Sequence, residues 1–265
     1  MRALRAEWVK FRTDPGMVTL MVALAVATTA LAALDAGRAE LPVCPQVLPD
    51  CELPVVDRIE LSLSGVFFGQ TFAVMLATLM VADEYTTGLL RTTLLANPRR
   101  LAVVAAMAAT TVGVVALAGA VAILASVTVA ATLLPRRGFR ASNGYPPVLA
   151  TDPALLRAAG GSVLYLCLVA LLALGITFTV RDTTAALATV LSLLYLIPLI
   201  ATALNNETLA RLIERYAPMP AGLSIQRTIA VEALPIGGWA GQAVLAGWSA
   251  CAIMAGWIRF AARDA

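Results

Sequence analysis

The sequence predicts an all-α membrane protein with six transmembrane helices, read as a single domain spanning 1–265. Two observations predict it. Hydrophobic residues make up 60% of the chain and charged residues only 13%, where soluble domains carry about a quarter charged. Such a chain cannot cover a water-facing surface, but it suits one whose solvent is mostly lipid. In addition, six stretches lack any charged residue: 16–34, 61–82, 101–134, 158–180, 183–204 and 235–258. Crossing a hydrocarbon core of about 30 Å takes roughly 20 helical residues, and each stretch is near or above that length.

Residues 1–15 read as an interfacial helix. Met1, Leu4, Trp8 and Phe11 recur at helical spacing on one face while Arg2, Arg5 and Arg12 project elsewhere. Asp14-Pro15 then breaks the chain before the first span. Ala30-Leu31-Ala32 resembles a signal-peptide cleavage site, although a 19-residue apolar run is long for that role. Either way the N-terminus starts inside. The Pro-rich loop that follows holds Cys44 and Cys51, six residues apart. A local disulfide is expected if the loop faces an oxidising compartment, and two free thiols if it is cytosolic. Cys167 and Cys251 fall within apolar spans and read as packing residues.

In the second span Ser64, Thr71 and Thr78 recur every seven residues, with Phe67, Phe68 and Met75 alongside. After it comes a charged segment, 83–100, in which Asp83 can cap a short helix that Pro98 ends. The third span, 101–134, would be about 51 Å long as one helix; the alternative is a hairpin turning near Gly113 and Gly119. In the fifth span Thr189, Ser192, Tyr195, Thr202 and Asn206 form a second polar line, and Pro198 is expected to kink the helix. Between spans five and six, 206–216 predicts an amphipathic helix that Pro218 and Pro220 stop, with a second piece over 221–234.

Orientation follows from arginine and lysine placement. With both termini in the cytoplasm, the inner pieces hold ten basic residues and the outer pieces nine, on about half the total length. Arg136, Arg137 and Arg140 fall outside in this arrangement and count against it.

Absences exclude much chemistry. Lys10 is the only lysine, and nothing glycine-rich precedes it, so the chain lacks the loop and lysine of an ATP-binding P-loop. Without histidine there is no Ser-His-Asp triad, no HExxH zinc site and no imidazole proton shuttle. No metal site or catalytic residue is expected. The net charge of +3 comes with no basic stripe, which argues against nucleic acid.

The segment Asp83-Glu84-Tyr85-Thr86-Thr87-Gly88-Leu89-Leu90-Arg91-Thr92-Thr93-Leu94, closed by Asn97-Pro98-Arg99-Arg100, resembles the ABC-2 family of bacterial transporter permeases. So does the opening Ala6-Glu7-Trp8-Val9-Lys10-Phe11-Arg12, as does a tryptophan-bearing last span followed by Arg263-Asp264-Ala265. The resemblance implies a plasma-membrane exporter subunit working as a homodimer with two copies of a separate ATPase. That partner would bind ATP and Mg, so no cofactor is expected in this chain. It further implies that Asp83, Glu84, Thr87, Gly88, Arg91 and Thr92, with Glu7 and Lys10 of the interfacial helix, couple the spans to the ATPase. The helices between spans five and six would form an outer lid.

On the same resemblance, the polar lines of spans two and five would flank a substrate path at the dimer interface; helix–helix packing is the plain alternative. Aromatics and hydroxyls suit an amphipathic or hydrophobic substrate such as a drug, lipid or peptide. Two other functions stay open: a non-transporting membrane scaffold or assembly protein, and an ion-coupled carrier. The absence of charge inside the spans weakens the carrier reading.

Overall fold

Asp14 opens the first helix, its carboxylate accepting the Gly16 N–H at 2.8 Å, with Pro15 in the first helical position where a missing N–H costs nothing. The structure, a computed structural model, describes residues 14–41, 55–86, 100–145, 151–203 and 206–263. The described residues are helical and contain no strand. Six of the helices are long and apolar enough to cross a membrane, and the chain is a multi-pass membrane protein.

The helices are α1 (Pro15–Arg38), α2 (Arg58–Leu63), α3 (Val66–Thr86), α4 (Arg100–Leu133) and α5 (Pro153–Val180). They continue with α6 (Thr183–Leu191), α7 (Ile197–Ala203), α8 (Glu207–Tyr216), α9 (Pro218–Leu223) and α10 (Gly238–Arg263). Short side chains with an acceptor oxygen set most of the starts. Asp14, Asp57, Asp152, Asp182 and Asn206 each cap the helix that follows, because the first turn leaves N–H groups that only such a side chain can satisfy locally. For this reason the second span starts at Arg58 and the fourth at Pro153, ahead of their charge-free stretches, while the first helix runs on at its far end through Asp35 to Arg38.

Residues 100–133 form one unbroken helix and not a hairpin. Span two is the pair α2–α3, interrupted only by a turn at Ser64 and Gly65. That turn lies where α1 crosses. A Cβ on Gly65 would collide with the Thr28 carbonyl oxygen, and one on Gly69 with the Thr28 hydroxyl. Two glycines four apart therefore let the backbones approach, the usual device where lipid offers no hydrophobic drive to pair helices.

Helices α3 and α5 form the centre of the bundle. Fifteen residues of α5 are buried, and it touches α3, α4, α6 and α10. By contrast α1, α6–α7 and α10 are peripheral, and α1 turns Val18, Val22 and Val26 outward at helical spacing. Such outward apolar rows would be a liability in water and are the natural surface in lipid.

Span five contains a π-helical turn at Ser192–Leu196 directly before Pro198. Proline cannot donate to the carbonyl one turn back, and an inserted residue is a common way to absorb that loss. The next connection departs from the sequence expectation. Asn206 lies beyond the end of α7, outside span five, and caps α8 through the N–H groups of Thr208 and Leu209. Helix α8 ends at Tyr216, ahead of Pro218; that proline then opens α9 three residues before the expected second piece, and a 3-10 turn at Ser224–Gln226 follows.

This α9 segment enters the bundle. Met219, Ala221, Gly222, Ser224, Ile225 and Gln226 are all buried, and Gly222 packs against the Tyr165 ring and Leu245. Leu245 lies seven residues into α10, and Tyr165 seven residues past the start of the charge-free stretch of α5. At 1.5 Å per residue both place the tip about 10 Å below the start of the apolar stretch. Non-helical backbone at that depth needs internal partners. Gln242 ties α9 to α5, its Nε2 donating to the carbonyls of Gly161 and Gly222 at 3.1 Å each.

Asp83 and Glu84 fall in the last turn of α3, so Asp83 does not cap a new helix there. The expected coupling residues Thr87, Gly88, Arg91 and Thr92, the interfacial Glu7 and Lys10, and the cysteines Cys44 and Cys51 lie outside the described residues.

Candidate functional site: a cavity at one end of the bundle

A cavity of about 640 Å³ opens at the end of the bundle where α1 finishes and α2 begins. Its wall is the outward side of α2–α3, carrying Glu60, Leu61, Ser64, Phe67 and Phe68. Its opposite side is the α8–α9 segment with Glu214, Met219, Leu223 and Gln226, and its rim includes Asp35 and Asp57.

The aromatic floor is fixed by span five. The Phe67 ring meets Phe68 and Tyr195 edge-on, at centroid distances of 5.0 Å and 5.3 Å. The Tyr195 hydroxyl donates to the Phe67 carbonyl at 2.7 Å and pairs with the Thr71 hydroxyl at 2.8 Å. Tyr195 sits within the π-helical turn, so the irregular part of span five is the part tied to span two.

The rim is held by one carboxylate. Asp57 caps α2 through Ile59 N–H and Glu60 N–H. From the far side of the cavity it also accepts Thr228 N–H, the Thr228 hydroxyl and Ile229 N–H. Glu60 pairs with Arg227 at 3.2 Å, and Arg157 donates to the Arg227 carbonyl at 2.9 Å. This clasp closes the segment after α9 onto the start of span two. Deeper in, the Tyr165 hydroxyl donates to Gln70 Oε1, joining α5 to α3.

Of the residues expected along a path, Ser64, Phe67 and Phe68 line the cavity, and Thr71 and Tyr195 meet beside Phe67 without lining it. Met75 is half-buried lower on α3. Thr78 is fully buried in the helix contacts, and its hydroxyl has no partner among the described residues. The cavity reaches along α3 only to Phe68, and Thr78 lies ten residues, about 15 Å, further along the helix. Thr189 and Ser192 lie on the exposed side of α6 and the π turn, with Thr189 bonded back to the Ala185 carbonyl. Thr202 is placed on α7, and Asn206 is a cap.

Asp35, Asp57, Glu60, Gln70, Tyr165, Gln226 and Gln242 were not singled out from the sequence. One signal was available: Asp57-Arg58-Ile59-Glu60 ahead of an apolar run has capping-box spacing. Uncharged amides inside apolar spans were a second, since they must find partners in lipid. Among the described residues, no group of three or more histidine, cysteine or acidic side chains converges to hold a metal ion. Compared with known proteins, the chain matches no family model and no curated sequence.

Proposed function

We propose that the chain is the membrane subunit of an ATP-driven exporter, of the kind its sequence resembles in the ABC-2 family. On this reading it moves an amphipathic substrate and is energised by a separate ATPase. The observation that carries the transport reading is the cavity itself. It is a sizeable space with an aromatic floor and polar rim, set between span two and a segment re-entering the bundle between spans four and six. A scaffold has no need of such a volume beside a π turn. The power source is argued from sequence: the coupling pattern at 83–100 and a chain without a P-loop of its own. As in the sequence reading, the partners would be two ATPase copies and a second copy of this chain, with both termini cytoplasmic and the cavity facing outward.

Purification of the tagged chain from native membranes in mild detergent tests this. An ATPase should co-elute at about equal stoichiometry with nucleotide turnover. Replacing Glu84→Ala should leave that complex intact while separating hydrolysis from transport. A chain that elutes without any ATPase would sink the proposal and return the scaffold and carrier readings.

A further inference from the structure

We propose that the arginines at the far end of α4 hold the phosphate of a net-negative phospholipid headgroup. The inference rests on the chain's place in a bilayer and not on the exporter reading. Arg136, Arg137 and Arg140 follow α4 directly, and Arg38 ends α1, which touches the same turn. All four are exposed. The side chains of Arg38, Arg136 and Arg137 make no hydrogen bond or ion pair among the described residues. Two carboxylates share this end of α1. Asp35 accepts the Ser64 hydroxyl at 2.6 Å and pairs with no cation among the described residues, and Glu40 is exposed. Four guanidinium groups against two carboxylates leave this surface positive.

The loop that presents them is held by its own bonds. Its turn needs glycine at 138, where φ is +95°, and the Gly138 N–H closes onto the Leu134 and Pro135 carbonyls. Asn143 Nδ2 donates to the Gly138 carbonyl at 2.7 Å, and Arg140 Nε to the Pro135 carbonyl at 2.8 Å. Phe139 is buried in a small core with Ala36, Ala130 and Leu134, its ring meeting Tyr145 edge-on at 5.1 Å. Arg136 and Arg137 therefore stand on a fixed base, which lowers the entropy lost when they grip an anion.

Depth is an independent observation, and it points to lipid rather than a dissolved anion. Asp14 and Asp35 bracket the uncharged part of α1. Twenty-one residues separate them, about 31 Å, the thickness of a hydrocarbon core. Helix α4 runs alongside in the same direction, with the Thr29 hydroxyl donating to the Ala122 carbonyl at 3.4 Å and Ala36 in one cluster with Ala130. Arg136 and Arg137 thus stand about 10 Å past the level of Asp35. The headgroup layer is roughly 5–8 Å thick, so long side chains folding back reach its phosphates. There each guanidinium fork matches two phosphate oxygens.

The test uses the full chain in detergent and native mass spectrometry, with phosphatidylglycerol and phosphatidylcholine of the same acyl chains. Phosphatidylglycerol should bind more tightly, and inorganic phosphate in large excess should not displace it. Arg136→Gln combined with Arg137→Gln should weaken the tightest phosphatidylglycerol site by about twenty-five-fold, near fivefold for each arginine at a membrane surface. Both side chains are exposed and unbonded among the described residues, so the double variant should keep the parent melting temperature. If the pair does not fold, the two single variants decide, each about fivefold weaker than the parent. Arg211→Gln removes an arginine from α8 and should leave the site unchanged. Equal binding of the two lipids, displacement by free phosphate, folded Arg136 and Arg137 variants of parent affinity, or an equal loss with Arg211→Gln would each overturn the proposal. The assay needs neither nucleotide nor ATPase, so its failure would leave the exporter reading standing.

Discussion

Replacing Asp57→Ala should release the segment after α9 from the start of span two. Three of the five donors to this carboxylate come from Thr228 and Ile229, some 170 residues away in the chain. The remaining two are the first-turn N–H groups of α2. Loss of a cap costs about 1 kcal/mol. Each charge-assisted bond from the loop would contribute about 1.5 kcal/mol if buried, but Asp57 is half-exposed and water can replace part of it. A local cost of about 3 kcal/mol is reasonable, which corresponds to roughly a hundredfold more frequent opening. Hydrogen exchange by mass spectrometry reads this directly. Peptides covering 226–230 should exchange about a hundred times faster, while α5 keeps its protection. Asp57→Asn separates the two roles, since its remaining carbonyl can still cap α2 while its NH2 faces loop donors. It should reproduce the loop effect with little change in α2. Unchanged exchange at 226–230 in both variants would refute the clasp.

Removing the Tyr195 hydroxyl with Tyr195→Phe leaves the Phe67 ring contact and deletes two hydrogen bonds between spans two and five. A loss of about 1–2 kcal/mol is expected, read as a lower melting temperature in detergent; a stable variant would show the tie to be incidental. Gly65→Val should be far more damaging, because its side chain would have to occupy the Thr28 carbonyl position. Monodisperse protein in size-exclusion chromatography at parent yield would show that α1 and α3 do not cross as closely as described.

The sequence made the helices legible and the site much less so. Charge-free length located six spans, since no other arrangement of such residues is soluble in lipid. Helix α8 was equally readable, because Leu209, Leu212 and Ile213 share a face opposite Arg211 and Glu207. The long third span was ambiguous: its small apolar residues carry no turn signal, yet the glycines at 113 and 119 leave a hairpin open. Of the polar stripes, Ser64 and Phe67 lie on one wall of the cavity, but periodicity could not foresee the Ser64–Gly65 turn or the π turn that carries Tyr195. Proline at 218 was read only as the stop of α8, which ends at Tyr216, but its fixed φ also lets it start α9, which the sequence placed from 221.

By itself the sequence determined that this is a multi-pass membrane protein with six segments long and apolar enough to cross a bilayer, because each depends on neighbouring residues. Burial length and capping oxygens act within a turn or two of themselves. Tertiary structure decided the cavity, the descent of α9 between α5 and α10, and the saturation of Asp57 beside an uncompensated Asp35. Those depend on which distant groups meet, and in helices that are apolar all round no periodic pattern announces the partner. A carboxylate in the sequence is only a charge; that Asp57 bolts the segment after α9 to the start of α2 follows from the residues that folding brought against it.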